Sequence, residues 1–87
     1  MADLGGLSEV LLEVWGEVAR AEAKHPPLNS AHEGYAVLLE EVDELKNHVW
    51  TNQGRRDAAA MRAEAIQVAA MAVRFVRDVC DGGRGTK

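Results

Sequence analysis

The chain has 87 residues, a net charge of −4 and a single cysteine, Cys80. A domain this short buries only about 60% of the surface its unfolded chain exposes, so its core needs a disulfide, a metal or self-association to supplement it. One cysteine allows no intrachain disulfide, no CxxC or His/Cys cluster suggests structural zinc, and the acidic balance speaks against a nucleic-acid polymer as partner.

The first predicted helix spans about residues 5–24. Leu4, Leu7, Leu11, Val14 and Val18 recur at spacings of three and four, with Val10 and Trp15 widening the stripe. Glu9, Glu13, Glu17 and Arg20 fall mostly on the other side, as an amphipathic helix requires. These acids and Asp3 also interrupt any signal-peptide pattern, and no run approaches the roughly 20 apolar residues that span a bilayer. A cytoplasmic protein with no membrane partner is expected, with Cys80 as a small buried apolar residue. His25-Pro26-Pro27 stops the helix, because proline lacks a donor and disfavours helix in the residue before it.

The second helix, about 31–50, opens on the capping box Ser30-Ala31-His32-Glu33, with Ser30 as N-cap. Tyr35, Leu38, Val42, Leu45 and Val49 form its apolar stripe, and Thr51-Asn52-Gln53-Gly54 carries turn chemistry. Asp57 caps the third helix, about 58–80, and Gly82 and Gly83 suit a left-handed cap at its end. Residues 82–87 read as a flexible tail. The expectation is one all-α domain over residues 1–81, three antiparallel helices with no alternating strand pattern. Between Ala58 and Cys80, apolar residues occupy most of the helix circumference. Two short helices cannot cover such a surface, so a homodimer or homotetramer is expected to complete the helical bundle.

The chemistry concentrates in carboxylates on two helices. At about 100° per residue, Glu41 and Glu44 lie about 60° apart on the second helix, and Glu41 borders the apolar stripe. Glu40 extends the acidic strip outward. On the third helix Glu64 and Gln67 repeat the spacing, and Glu64 shares its face with Met61, Val68, Met71 and Phe75. A carboxylate drawn out of water needs a cation, a donor or a proton, and no lysine or arginine lies three or four residues from Glu64. Two readings stand. Facing acidic pairs make an oxygen-rich cage suited to Mg²⁺, with Mn²⁺ as a possible substitute, and hence to phosphoanhydride chemistry. Alternatively, the acids are solvated or paired with an arginine from another helix or subunit.

At these residues the sequence resembles a family. Leu39-Glu40-Glu41-Val42-Asp43-Glu44-Leu45 is similar to the EExxE motif of the MazG-like all-α NTP pyrophosphatases, and Glu64-Ala65-Ile66-Gln67 stands where their ExxD motif follows. The separation of 19 residues between Glu44 and Glu64 is similar to the family's, and the resemblance covers about residues 30 to 80. It implies Mg²⁺-dependent hydrolysis of a nucleoside triphosphate to the monophosphate and pyrophosphate, in associating subunits. It also implies that Glu41, Glu44 and Glu64 are the leading metal ligands, with the Gln67 amide oxygen able to join them, and that Glu40 and Glu41 are catalytic, Glu40 either as a further ligand or as the group orienting the attacking water. Gln67 departs from the pattern, since an amide brings no charge and cannot act as a base. Phosphoribosyl-ATP pyrophosphatase is an alternative within the same superfamily, and a catalytically silent helical oligomer is one outside it.

Triphosphate binding needs cations. Arg74 projects about 20° from Gln67 on the third helix and leads the candidates, with Lys46 and Arg55 behind it. His48 falls one turn beyond Glu44 and could contact substrate, although a structural histidine is the plainer reading. Trp15 and Trp50 are expected in the core or an interface.

Overall fold

The computed structural model describes residues 4–51 and 53–83. Three α-helices account for most of them, and no strand occurs among the described residues. They are α1 (Leu7–Lys24), α2 (Ala31–Val49) and α3 (Ala58–Phe75). No helix among these residues is long and apolar enough to cross a membrane.

Local chemistry sets each helix boundary. Gly5 and Gly6 take positive φ values of 62° and 89°, so α1 begins at Leu7. Its C-terminal residue Lys24 is followed by extended backbone at His25, where the prolines begin. Ser30 Oγ accepts the Glu33 backbone N–H at 3.0 Å, which caps α2. Asp57 Oδ1 accepts from the N–H groups of Ala59 and Ala60 and caps α3. Between α2 and α3 the expected turn forms a 3₁₀ segment over Gln53–Arg55; Asn52 lies outside the described residues. The helical path continues beyond α3 as a π-helical turn, Val76–Asp81. Gly83, at φ 73°, supplies the left-handed residue that ends it. Of the predicted tail, residues 84–87 lie outside the described set.

α3 is the central element and packs against both α1 and α2. Val14 and Val18 of α1 meet Ala70 and Met71 of α3, and Ala21, Val37, Leu38, Ile66 and Ala69 close around them. Two exposed ion pairs, Arg62–Glu13 and Arg77–Glu22, fix the register of α1 against the helical path of α3. At the far end Val79 is 1% exposed and Leu28 is buried. There the Leu28 N–H donates to Asp78 Oδ2 at 2.9 Å, which ties the proline loop to the π turn.

Several expected burial positions are corrected. Cys80 is exposed, because Val79 takes the inward position of the π turn and its neighbour rotates outward. Trp15 and Trp50 are not in the core of the chain, being 73% and 75% exposed. Leu4, Leu7 and Leu11 are exposed as well, since α1 meets the core only through Val14, Val18 and Ala21. On α2 the inward face is rotated from the expected stripe. Tyr35 and Val42 are exposed, while Gly34 is buried and Leu38, Glu41, Leu45 and His48 are half-buried.

Gly34 explains how closely α2 approaches α3. A Cβ placed there would stand 2.7 Å from Cδ2 of the Phe75 ring. Overpacking of this kind costs about 1–3 kcal/mol, against about 1 kcal/mol that alanine gains over glycine in a helix. Gly34→Ala is therefore expected to lower the melting temperature. In a Phe75→Leu background the same substitution should no longer do so, which thermal denaturation of the four chains measures directly.

Candidate functional site

The seam between α2 and α3 brings Glu41, Glu44 and Glu64 together. One carboxylate oxygen from each lies within 4.8 Å of the others. Glu41 and Glu64 are half-buried and Glu44 is exposed. Glu64 Oε2 is buried and has no hydrogen-bond partner among the described residues. An oxygen in that state is a strong acceptor without a donor, the condition under which a buried carboxylate is most costly.

The electrostatics follow from that crowding. Burial pushes the Glu64 carboxyl above its ordinary value, and the hydrogen bond and charge of Glu44 push it further, while His48 opposes the shift. Burial likewise raises Glu41, with the charges of Glu44, Glu64 and Glu40 adding to it. Without a cation the trio favours holding protons. Three carboxylates at this separation, one with an orphan oxygen, fit a hard divalent cation, which takes oxygen ligands and retains waters in its remaining positions.

Glu41 also lines a cavity of about 610 Å³ bounded by α1, α2 and α3. Glu40 stands on the same wall, and Gln67, Met71 and Arg74 line it from α3. The structure thus groups Glu40, Glu41, Gln67 and Arg74 around one space and joins it to the acidic trio through Glu41. Gln67 is turned away from the trio toward α1, where its Nε2 donates to Glu17 Oε2 at 2.5 Å. His48 lies close enough to Glu64 to influence its charge. Lys46 and Arg55 are exposed and do not line the cavity.

Glu17 is the site residue that periodicity alone misplaces. It reads as part of the solvated face of α1, yet it is partly buried against Gln67 and lines the cavity. Arg20 first, and Gln67 after it, hold its carboxyl below the ordinary value. Its position just before Val18 and three residues after Val14 is the available signal, since that places it at the edge of the buried stripe.

A pH dependence follows. Folding favours protonation of Glu41 and Glu64, so their contribution to stability is complete below the ordinary carboxylate range and lost as pH rises through the raised values. Glu13 and Glu17, held low, act in the opposite sense, but equally in a Glu64→Gln variant. In EDTA at neutral pH, Glu64→Gln should exceed the native chain by about 1 kcal/mol, or about 4–8 °C in a domain this small. The gap should close on acidification. Mg²⁺ at ten times its Kd should raise native stability by about 1.4 kcal/mol and leave the variant unmoved. Thermal melts from pH 4 to 8, with and without Mg²⁺, check both statements.

No protein-family model, curated protein or solved structure matches this chain.

Proposed function

We propose that the chain is a Mg²⁺-dependent nucleotide pyrophosphohydrolase of the MazG-like type, cleaving an NTP or dNTP to the monophosphate and pyrophosphate. The observation that carries this reading is the convergence of Glu41, Glu44 and Glu64, with an orphan oxygen on Glu64. These three carboxylates would hold the cation. When bound, Mg²⁺ neutralises phosphate charge and makes a coordinated water more acidic.

The chain's own residues divide the remaining work. The cavity of about 610 Å³ beside Glu41 is of a size that accepts a nucleotide. Glu40, exposed on its wall, orients the attacking water and takes a proton from it as the water oxygen bonds to the α phosphorus. The α–β bridging bond breaks and pyrophosphate leaves with its electron pair. Glu41 contributes to both the cation and the wall, which keeps the reacting phosphorus beside the charge that stabilises it.

Gln67 motivates a second reading, that of a catalytically silent helical oligomer. Its amide is uncharged and already bonded to Glu17. A phosphoribosyl-ATP pyrophosphatase activity is a third, distinguished only by substrate. All three include self-association as a homodimer or homotetramer. Its support is the exposed apolar surface of α1 and the end of the α3 path, where Leu11, Trp15, Val73 and Val76 stand in solvent.

Two experiments test these proposals. Pyrophosphate release from a panel of NTPs, dNTPs and phosphoribosyl-ATP with Mg²⁺ should show turnover by the native chain, falling at least about 100-fold in Glu64→Ala. Gln67→Asp should bind Mg²⁺ more tightly and turn over faster. No turnover on any substrate, in either the native chain or Gln67→Asp, would leave the silent oligomer. Sedimentation velocity should find a dimer or tetramer, and Trp15→Glu should shift it toward monomer; a native monomer at micromolar concentration would refute self-association.

A further inference from the structure

Arg74 is a second uncompensated group, of opposite sign to the acidic trio, on the cavity that Glu41 also lines. Arg74 is 3% exposed. Its Nη2 donates to the Pro26 carbonyl at 2.9 Å, and Nη1 meets only the Met71 sulfur at 3.8 Å, a weak acceptor. Its Nε is buried and has no partner among the described residues. Among the described residues the ion pairs are made by Arg20, Arg62 and Arg77, and Arg74 joins none of them. A guanidinium stays protonated when buried, so it cannot escape the cost by releasing a proton, as the carboxylates can by gaining one.

The surroundings say what could answer it. Lys24 and His25 line the same cavity where α1 ends. The wall formed by α2 is acidic, with Glu33, Glu40 and Glu41, and repels a bare anion. Glu17 of α1 lines the cavity too, but Arg20 and Gln67 both donate to its carboxylate, so an anion meets the least repulsion where the end of α1 faces Arg74. A singly charged group would satisfy the guanidinium fork, but the additional cation at the end of α1, Lys24, matches a group carrying more than one negative charge.

We propose that this side of the cavity is a binding site for a phosphoryl group, with Arg74 as the donor at its base, Lys24 supplying charge at its edge and His25 a ring nitrogen beside it. The site requires no metal and does not rest on the pyrophosphohydrolase reading. It gives Arg74 a ligand where a purely structural role, tethering the Pro26 carbonyl, leaves Nε without a partner and Nη1 on a weak one.

The test is calorimetric titration of the full chain in EDTA with inorganic phosphate, diphosphate and AMP, paired with thermal melts. At least one should bind and raise the melting temperature. Tightest binding of diphosphate identifies a free anion as the source, and tightest binding of AMP a phosphate ester. Arg74→Lys keeps the charge and loses the fork, so affinity should fall about tenfold, equivalent to about 1.4 kcal/mol. Lys24→Ala, an exposed position, should weaken binding several-fold with the fold intact. Three results overturn the proposal: no binding of any probe at millimolar concentration, binding seen only when Mg²⁺ is restored, or affinity unchanged in both variants. The second would assign the anion to a cation at the acidic trio; a loss of Mg²⁺ binding alone leaves this site standing.

Discussion

The approach of α2 to α3 is the constraint on which the rest of the molecule depends. Gly34 permits it by leaving space for the Phe75 ring, which any Cβ at that position would meet at 2.7 Å. Once the two helices lie this close, side chains on the facing surface of α2 lose access to water whether they are apolar or not. Leu38 and Leu45 benefit from that, but Glu41 and His48 share the same surface. On α3 the position opposite is Glu64. A small apolar core thus comes with a carboxylate cluster at its seam, because helical periodicity places both on one face.

That cluster and Arg74 are two halves of one electrostatic arrangement. Glu41, Glu44 and Glu64 concentrate negative charge at the α2–α3 seam, while Arg74 holds positive charge near the meeting of α3 with the proline loop. They do not neutralise each other. Instead, a cavity of about 610 Å³ has Glu41 on one wall and Arg74 on another. A hard cation suits the first and a phosphoryl group the second, and a cation-bearing phosphoryl compound has both parts. Gln67, between them in sequence, is occupied with Glu17 and adds no charge to either.

Size governs what lies outside the site. The core of the single chain rests on Val14, Val18, Ala70 and Met71 with a ring of partly buried neighbours. Burying one such side chain contributes about 1.5–3 kcal/mol, so a core this small leaves little margin over chain entropy. Trp15, Leu11, Leu12 and Trp50 remain exposed, and they are the side chains whose burial in an assembly would add most.

The amino-acid sequence by itself determined the elements, because caps and breakers act locally. Ser30 and Asp57 begin helices by accepting from amides two or three residues on, the proline pair follows the end of α1 because it lacks donors, and Gly83 closes the π turn by taking a positive φ. It also marked Glu41, Glu44 and Glu64, since spacing on a helix fixes which side chains share a face. Only the tertiary structure decided which faces meet. It rotated the inward side of α2 away from Tyr35 and Val42, exposed Cys80 by turning Val79 inward, and brought Glu17 onto Gln67 across 50 residues of chain. Arg74 is the clearest division between the two. Its projection near Gln67 is a property of one helix, but its burial without a carboxylate partner depends on where α1 and the proline loop pack, and no local rule specifies that.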